Sequence, residues 1–466
     1  MVALASHVIA LDLGTTTIKA GLVDQHCELN AYYALAAPEI SVKGGRYESD
    51  ALRYVEQAEQ LLLKCLINSQ QHPSLGIACQ RSSFLLWEKA TGKPVTPLIS
   101  WQDNRGADCV ARLASRQSDI QKLTGLRLTP YYLAPKLSVL LDQQPGLHIG
   151  LERGALLVGT LDCFVVWRWS RGRYYQTDAS MAARTLLMSI HQQHWSLDLR
   201  SLFNLSACLL PDIKPSCGLN QRLMQGVVLQ ASVADQSAAF VASVQNDPQH
   251  VLVNLGTGGF VIRLQTNQAV YDNNNYLNTL LYQALNGRCY YAIEGTLNAI
   301  NSALTVLPYQ HCQFEDFGQI ADIFCIAEPA GIGAPYFRPD IGLVFSGSID
   351  QLTQHQIAVL LLEAIIFRIV RILDDFHQYQ TITSVILSGG LSELACLQQG
   401  IAQCCQFKVC RLMHKESTLI GAGVLAMNLG VDYPQTTERL HPGIENQGLL
   451  AKYQNWKKWL DEMLCR

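Results

Sequence analysis

The chain has 466 residues, of which 49% are apolar and 16% are charged, and its formal net charge is −3 at pH 7. A chain of this length commonly forms two or three domains, and this one has enough apolar residues to bury a large core. The small negative charge argues against a protein held on nucleic acid or on a membrane surface by bulk positive charge.

The fifteen cysteines lack the spacing of a disulfide framework or of a zinc site, because no Cys-x-x-Cys pair occurs and their number is odd. We therefore expect free, mostly buried thiols in a reducing compartment. The N-terminus has no basic segment ahead of an apolar run, and the apolar stretch 357–373 carries Glu363, Arg368 and Arg371. That stretch is too short and too charged to span a bilayer. We expect a cytoplasmic protein with no nucleic-acid and no membrane partner.

Taken in chain order, the elements alternate between strand and helix patterns. Residues 8–36 predict two strands joined by a Gly-Thr turn, and the apolar spacing over 51–70 predicts an amphipathic helix. Strands are predicted over 74–80 and 84–88, and strand-like and helical stretches alternate from there to about residue 245. This alternation favours an α/β fold.

A weak internal repeat divides the chain. The stretch "DLGTTTIKAGLV" begins at Asp12 and "NLGTGGFVIRLQ" begins at Asn254, and each places Gly-Thr between two apolar segments. Coincidence is one explanation, since the dipeptide is common. A duplicated fold is the other, and it would set two such loops face to face across a cleft. Duplication predicts an N-terminal domain over 1–245 and a C-terminal domain over 246–466.

The first Gly-Thr loop has the composition of a phosphate-binding turn. Gly14 permits a close backbone approach, and the amides and hydroxyls of Thr15 and Thr16 can surround phosphate oxygens. Lys19 can supply a cation, and Asp12 at the strand end suits a Mg²⁺ ion bound through water. An ordinary β-hairpin explains the same residues equally simply.

The second loop, at Gly256 and Thr257, is open to the same two interpretations. The common nucleotide and zinc signatures are absent from the sequence: it contains no G-x-x-x-x-G-K-[ST], no strand followed by G-x-G-x-x-G, and no H-E-x-x-H.

Asp235 lies in "SVADQSAAFVAS", between an apolar stretch and an Ala-rich helical run. A helix N-cap explains an aspartate at such a position. The functional alternative is a carboxylate at the floor of a cleft that accepts a proton from a substrate hydroxyl. Phosphoryl transfer needs such a base, together with Mg²⁺ and phosphate clamps.

Two further clusters have a structural and a functional interpretation. Arg81 and Trp101 lie at or near strand ends among polar residues, which suits a polyhydroxylated ligand stacked on an aromatic ring. Surface charge beside a core tryptophan is the simpler explanation. Gly389 and Gly390 end a strand before a helix, where a flat ligand can lie against the backbone, but a tight turn explains them too.

Each pattern is weak alone, but their order along nearly the whole chain resembles the FGGY family of carbohydrate kinases, within the sugar kinase–actin–chaperone ATPase superfamily. "DLGTTTIKAGLVD" and "NLGTGGF" are similar to the family's two phosphate motifs, and "VADQSAA" is similar to its catalytic segment. "SGGLSE" resembles its adenosine motif, and "STLIGAGVLAM" resembles its closing helix. The resemblance implies two ribonuclease H-like α/β domains, each with a mixed five-stranded sheet, and a cleft between them that holds ATP and an acceptor.

Within the family, the substrate residues most resemble those of glycerol kinases. The resemblance implies that Asp235 is the catalytic base and that it serves Mg²⁺ together with Asp12, which acts through water. The acceptor residues that it implies are Arg81, Ser82, Trp101, Tyr131, Asp235, Gln236 and Phe260. The ATP residues that it implies are Gly14, Thr15, Thr16, Lys19, Gly256, Thr257, Gly389 and Gly390. We therefore expect phosphorylation of a terminal hydroxyl of a small polyol or sugar by ATP and Mg²⁺, in a homodimer or homotetramer as is common in the family.

Departures from the glycerol kinase pattern leave the acceptor open. Glycerol kinases carry a glutamate directly after the arginine, whereas this chain has Ser82, which leaves more room and less charge. The segment before Asp235 is shorter and lacks the Gly-rich loop that binds an allosteric sugar phosphate. The alternatives are a glycerol kinase, a kinase for a pentulose, a heptulose or a longer polyol, a non-catalytic ligand-binding relative, and a filament or chaperone ATPase.

Overall fold

The computed structural model describes residues 7–67, 73–266, 276–413, 415–428 and 437–465. Two mixed β-sheets with helices packed on them form the centres of an N-terminal and a C-terminal half. None of the described helices is both long and apolar enough to cross a membrane. All fifteen cysteines belong to the described residues and carry free thiols.

The N-terminal half is built on a six-stranded and a five-stranded sheet. Its strands are β1 (His7–Leu13), β2 (Thr17–Asp24), β3 (Leu29–Ala36), β4 (Ser41–Lys43), β5 (Arg46–Ser49), β6 (Ser74–Cys79), β7 (Phe84–Glu88), β8 (Leu98–Ile99), β9 (Leu156–Thr160), β10 (Gln176–Asp178), β11 (Met188–Ser189), β12 (His194–Trp195), β13 (Asp212–Lys214), β14 (Cys217–Arg222) and β15 (Val228–Ala234). Its helices are α1 (Ala51–Ile67), α2 (Ala107–Arg112), α3 (Gln117–Thr124), α4 (Leu133–Gln143), α5 (Pro145–Glu152), α6 (Leu161–Trp169), α7 (Ala179–Ala183), α8 (Leu197–Leu202) and α9 (Asp235–Val244), with 3-10 turns at Ala114–Arg116 and Met224–Gly226.

The C-terminal half is built on a seven-stranded sheet and one small hairpin. Its strands are β16 (His250–Leu255), β17 (Gly259–Leu264), β18 (Leu277–Gln283), β19 (Cys289–Leu297), β20 (Cys325–Ala327), β21 (Leu343–Phe345), β22 (Ser384–Ser388), β23 (Lys408–Leu412) and β24 (Thr437–Arg439). Its helices are α10 (Ile300–Leu304), α11 (Gln354–Tyr379), α12 (Ala395–Cys404), α13 (Ser417–Met427) and α14 (Gln447–Leu464), with 3-10 turns at Tyr309–His311, Phe314–Asp316 and Gly390–Glu393.

The two main sheets share one topology. In the N-terminal sheet β1 is antiparallel to β2 and parallel to β6, which is parallel to β15. In the C-terminal sheet β16 is antiparallel to β17 and parallel to β22, which is parallel to β23. Five strands of each sheet therefore correspond one to one: β3-β2-β1-β6-β15 in the N-terminal sheet and β19-β17-β16-β22-β23 in the C-terminal sheet. The predicted α/β fold with two mixed-sheet domains is confirmed, and additional strands extend the common five in each half.

Residues 8–36 form three strands, β1, β2 and β3, where the sequence predicted two. The chain turns sharply at Asp24, whose carboxylate accepts hydrogen bonds from the amides of His26 and Glu28 and from the side chain of Asn30. Strand β3 then lies at the edge of the sheet with every second residue exposed. The sequence of β3 is mostly apolar, so no alternation of apolar and polar residues marked it as a separate edge strand.

Helix α13 of the C-terminal half packs on α9 and on strands β1 and β6 of the N-terminal half. Glycines permit this approach, since a Cβ on Gly421 would lie 1.8 Å from the carbonyl oxygen of Ala238. A Cβ on Gly76 would lie 2.2 Å from the carbonyl oxygen of Ala422. Both halves therefore contribute to one apolar core. Since residues of both halves pack in this core, the domain boundary between residues 245 and 246 stays a prediction from the sequence.

Candidate active site

Three parallel strands bring the first group of site residues together. Strands β1, β6 and β15 are neighbours, with Leu13 and Ala234 each in register with Cys79. The carboxyl ends of parallel strands meet at one edge of a sheet, where ligands bind in open α/β folds. Asp12 therefore lies at the same edge as Arg81, two residues after β6, and Asp235, the first residue after β15.

The first Gly-Thr loop joins β1 to β2 and is held from below by buried side chains. The carbonyl oxygen of Gly14 accepts hydrogen bonds from the Tyr54 hydroxyl at 2.6 Å and from the Gln80 amide at 3.3 Å. The Thr15 hydroxyl accepts from the Trp101 indole at 2.9 Å and donates to Gln80 at 3.1 Å. These contacts fix the loop in one conformation before any ligand arrives.

Lys19 on β2 binds across the two halves. Its ammonium donates to Glu416, directly before α13, at 2.7 Å. Burial alone would lower the pKa of Lys19, but the hydrogen bond and the charge of Glu416 raise it above its usual value. The ammonium remains cationic beside the first loop, and its role as a phosphate ligand stays a prediction.

Two carboxylates lie near the loop and influence each other. Burial, followed by the charge of Asp235, raises the pKa of Asp12 to about 7. Burial also raises the pKa of Asp235, although Arg81 and the backbone amide of Gln236 partly offset the effect. A divalent cation would relieve this unfavourable pair. The described residues contain no group of three or more His, Cys, Asp or Glu side chains placed to hold a metal ion. Two buried carboxylates are compatible with Mg²⁺, which prefers few carboxylates together with waters and phosphates.

Asp235 is not a helix cap. It is the first residue of α9, whose cap position is held by Ala234 without a side-chain hydrogen bond. The Asp235 carboxylate accepts hydrogen bonds from the backbone amide of Gln236 at 2.8 Å and from its own backbone amide. The N-cap explanation for this aspartate therefore does not hold, and its role in the chemistry stays a prediction.

A charge cluster surrounds Asp235 and draws on both halves. Arg81 lies 3.9 Å from Asp235 and 3.9 Å from Glu294 on β19, and Arg184 lies 3.5 Å from Glu294. Burial and the charge of Arg184 lower the pKa of Arg81 to about 10, so it stays cationic at neutral pH. Two buried atoms here, Arg184 Nη1 and Gln236 Oε1, have no hydrogen-bond partner in the described structure, whereas Glu294 Oε1 faces Arg184 Nη2 at 3.5 Å. Buried polar atoms are nearly always paired, so these are suited to the hydroxyls of a ligand or to water.

An open aromatic pair stands beside the first loop. The rings of Trp101 and Tyr131 are 6.0 Å apart between centroids and inclined by 40°. The Trp101 amide donates to the Ser83 hydroxyl at 3.0 Å, which holds the backbone at the end of β8. Tyr131 is half exposed. Phe260 lies on β17 of the other half, where it packs against the shared core.

Ser82 faces the protein rather than open space. It has a φ of +63°, and its hydroxyl donates to the carbonyl oxygen of Arg184 at 2.9 Å. Its own carbonyl accepts from the ammonium of Lys136 at 3.1 Å, which also donates to the carbonyl of Ser100 at 2.9 Å. Burial lowers the pKa of Lys136 to about 7. One lysine thereby fixes the backbone beside Arg81 and beside Trp101.

The second Gly-Thr loop and the Gly-Gly turn share an edge of the C-terminal sheet. They follow β16 and β22, which are parallel neighbours. Gly389 has a φ of +89°, and a Cβ there would lie 2.5 Å from the carbonyl oxygen of Leu255. A Cβ on Gly390 or on Gly256 would meet nothing within 4 Å. The fold therefore requires glycine at 389, whereas Gly256 and Gly390 border open space.

Comparison with known proteins identifies the family. Residues 7–234 match the N-terminal domain of the FGGY family of carbohydrate kinases, and residues 251–429 match its C-terminal domain. The chain belongs to this family. It is a carbohydrate kinase, which transfers a phosphoryl group from ATP to a sugar or polyol.

Relatives of this FGGY kinase differ in the acceptor that their names give. A glycerol kinase of Bradyrhizobium sp. (strain ORS 278) is 30% identical, in an alignment that covers 92% of this chain and 91% of the relative. An apulose kinase of Pectobacterium atrosepticum is 29% identical, in an alignment that covers 97% of both. The structure of Plasmodium falciparum glycerol kinase with ADP has a TM-score of 0.86 at 22% identity and 98% coverage of both chains. These relatives thus agree in their reaction class and fold, but their names give different acceptors.

The sequence analysis missed two charged residues of the site. Arg184 and Glu294 lie in "TDASMAARTLLMSI" and "YAIEGTLNAI", and neither was singled out as a site residue. The usable signal was a charge within an apolar segment, because such groups are almost never fully buried unless they are paired. The predicted residues Asp12, Arg81 and Asp235 do come together at one strand edge. Their roles in this FGGY kinase stay predictions.

Proposed function

We propose that this FGGY kinase transfers the γ-phosphoryl group of ATP to a terminal hydroxyl of a small polyol or ketose, with Asp235 as general base. The position of Asp235 carries the proposal. Its carboxylate is free of a capping role, burial raises its pKa, and Arg81 lies 3.9 Å away. A carboxylate with a raised pKa accepts a proton more readily from the attacking hydroxyl.

The acceptor lies between the aromatic pair and the charge cluster in this proposal. The Trp101 and Tyr131 rings face the C–H groups of the acceptor, and Arg81 and Gln236 bind its hydroxyls. Phe260 closes the site from the C-terminal half. Support comes from the unpartnered buried atoms of Gln236 and Arg184, which an acceptor hydroxyl would satisfy. The full proposed set is Arg81, Ser82, Trp101, Tyr131, Asp235, Gln236, Phe260, Arg184 and Glu294.

The ATP phosphates lie between the two Gly-Thr loops, and the adenosine lies against Gly389 and Gly390. The proposed phosphate residues are Gly14, Thr15, Thr16, Lys19, Gly256 and Thr257. Asp12, through water, and Asp235 would hold Mg²⁺, which when bound neutralises charge that develops on the phosphates. The protein contributes positioning and the exclusion of water, since a water molecule could otherwise take the phosphoryl group.

A panel of acceptors tests the proposal. ADP release is measured with Mg-ATP and glycerol, longer polyols, pentuloses or heptuloses, and the product of the best acceptor is analysed by mass. We expect one of these acceptors to stimulate ADP release and to gain one phosphate. If no member of the panel stimulates ADP release, the proposed acceptor class is wrong.

Ser82 favours an acceptor larger than glycerol, and its replacement gives a prediction. A glutamate in Ser82→Glu adds a carboxylate that can accept hydrogen bonds from a small triol, and because Ser82 itself is buried, the longer side chain has to extend toward the acceptor and take up room there. We expect the ratio of kcat/KM for glycerol to that for a pentulose to rise by about tenfold or more. The matched control Ser82→Ala should leave the ratio near its original value. An unchanged ratio in Ser82→Glu would remove residue 82 from the acceptor site.

Adjacent glycines allow a matched test of the adenosine site. Gly390→Val should raise the KM for ATP by roughly tenfold, or about 1.4 kcal/mol, because the new methyl groups occupy the proposed adenosine space. Its Tm should hardly change, since nothing lies within 4 Å of a Cβ there. Gly389→Ala should instead lower stability by roughly 1–3 kcal/mol, because its φ is positive. A Gly390→Val enzyme with an unaltered KM for ATP would place the adenosine elsewhere.

The fifteen free thiols suit a reducing compartment, so we assign the enzyme to the cytoplasm in this proposal. A homodimer or homotetramer, expected from the family resemblance, stays a prediction.

A further inference from the structure

Gln80 is a buried residue between β6 and Arg81 that makes four side-chain contacts. Its amide oxygen accepts from the hydroxyl of Thr15 at 3.1 Å and from the hydroxyl of Ser83 at 2.9 Å. Its amide nitrogen donates to the carbonyl of Gly14 at 3.3 Å and to the Tyr54 hydroxyl at 3.4 Å. This side chain therefore contacts both the first phosphate loop, at Gly14 and Thr15, and Ser83, which holds the backbone of Trp101.

The direction of each hydrogen bond follows from the chemistry of the donors. An indole N–H can only donate, so the Thr15 hydroxyl accepts from Trp101 and uses its own proton for Gln80. The backbone N–H of Trp101 also can only donate, so the Ser83 hydroxyl accepts there and donates to Gln80. Both N–H groups of Trp101 are therefore connected, each through one hydroxyl, to a single amide oxygen.

The other end of the amide fixes its orientation. Gly14 offers only a carbonyl oxygen, which needs the amide nitrogen of Gln80 as donor. A flipped amide would direct its nitrogen at the Thr15 and Ser83 hydroxyl protons and its oxygen at the Gly14 carbonyl. Only one orientation satisfies all the groups, and Gln80 is only 4% exposed, so the network has little freedom to rearrange.

We propose that Gln80 is a positioning residue: by accepting the hydroxyl proton of Thr15, it orients the Thr15 oxygen as the acceptor of the Trp101 indole, so that nucleotide phosphates arriving at Thr15 change the environment of the indole before an acceptor binds. The inference rests on the proposed function, which assigns the loop to phosphates and Trp101 to the acceptor. When Thr15 turns its hydroxyl proton toward a phosphate, Gln80 loses one of its two hydroxyl donors, and the lone pair that the Thr15 oxygen directs at the indole N–H turns with the proton. The indole thereby responds to the nucleotide site through Thr15, from an orientation that Gln80 sets.

A fluorescence titration with Mg-ADP tests the link without any acceptor. The chain has seven tryptophans, so the Trp101 component is the difference between the unaltered protein and Trp101→Phe. We expect a Trp101 component on ADP binding in the unaltered protein and its loss in Gln80→Met, with calorimetry confirming that ADP still binds. Gln102→Met is the matched control, because Gln102 is exposed beside Trp101 and lies outside the network. That variant should keep the component.

Several results would overturn the inference. One is an unaltered protein that binds Mg-ADP with no Trp101 component, and another is a Gln80→Met protein that keeps the whole component. If Gln80→Met does not fold, Ser83→Ala removes one of the two hydroxyl connections and must reduce the component. An unreduced component in Ser83→Ala would equally overturn the link. Because no acceptor is present, these outcomes are separate from a failure of the acceptor panel.

Discussion

Replacing Asp235 with asparagine is expected to lower kcat by about 10²–10⁴-fold, the range that a positioned general base contributes. The amide has the size of the carboxylate, and its oxygen can still accept the Gln236 amide hydrogen bond of 2.8 Å. It cannot take the proton of the attacking hydroxyl. Binding of the acceptor should therefore persist while turnover fails, which separates the loss of a base from the loss of a site.

Calorimetry and single-turnover kinetics on Asp235→Asn measure the two effects apart. The matched control is Asp247→Asn, since Asp247 is partly exposed between α9 and β16 and its carboxylate accepts a hydrogen bond from the amide of Gln249. The control should keep full activity. A kcat for Asp235→Asn within about threefold of the original would mean that another group removes the proton, because a general base is worth far more.

The second large effect concerns Asp12 and pH. Its pKa of about 7 means that the carboxyl is half protonated near neutral pH when no cation is bound. A cation favours the ionised form and lowers the pKa, so binding of Mg-ADP should release a proton. Release should be largest somewhat below pH 7 and should fade above about pH 8, where Asp12 is already ionised. Asp12→Asn should abolish the release and raise the KM for Mg-ATP by about tenfold or more, as for the loss of a charge-assisted contact.

Calorimetry of Mg-ADP binding in buffers of different ionisation enthalpy counts these protons. A useful control is Asp24→Asn, because Asp24 is exposed and its pKa is lowered by the hydrogen bonds that it accepts. This aspartate is already ionised near neutral pH and should not contribute. Proton release that persists unchanged in Asp12→Asn would assign it to a different group.

The ionised carboxyl group of Asp12 should lower the stability of the folded protein when no ligand is bound. The pKa of Asp12 is about 7 in the folded protein and 3.8 in its ordinary state, so between these values the folded protein binds more protons. The contribution of Asp12 to stability is then present at low pH and lost as the pH rises toward 7. Above pH 7, Asp12→Asn should have a higher Tm than the original protein. A lower Tm would show that the ionised carboxylate is well paired.

The fold was largely predictable because the turns that end its strands have local sequence signals. Each Gly-Thr turn follows an apolar strand, and the two turns occur in the same order relative to their sheets. Asp12 and Asp235 could be predicted as site residues for the same reason, since each lies at the end of an apolar run. The edge strand β3 was not predicted, because its residues are nearly all apolar and the sequence does not show that every second one is exposed.

The rest of the site depends on contacts between distant segments. Glu294 reaches Arg81 and Arg184 from the other half of the molecule, and no periodicity in the sequence indicates that approach. Lys19 binds Glu416, which lies 397 residues away along the chain. The sequence identified the residue types that phosphoryl transfer needs, but only the packing of two sheets shows which charges meet.

At Ser82, the sequence shows what is lost relative to glycerol kinases, and the structure shows what the remaining side chain contacts. The sequence indicates lost bulk and charge relative to glycerol kinases. The structure adds that the remaining hydroxyl donates to the Arg184 carbonyl, which leaves its oxygen free only to accept. An acceptor can therefore bind Ser82 only by donating a hydrogen bond to its oxygen. The nearby charged side chains that could bind an acceptor instead are Arg184 and Glu294.

The central claim is transfer to an acceptor hydroxyl rather than to water, and phosphorus NMR of the reaction mixture tests it most directly. With Mg-ATP and the best acceptor of the panel, we predict one phosphate monoester on a terminal carbon for each ADP formed, and almost no ADP without acceptor. Inorganic phosphate as the main product, at a rate that the acceptor does not change, would contradict the account.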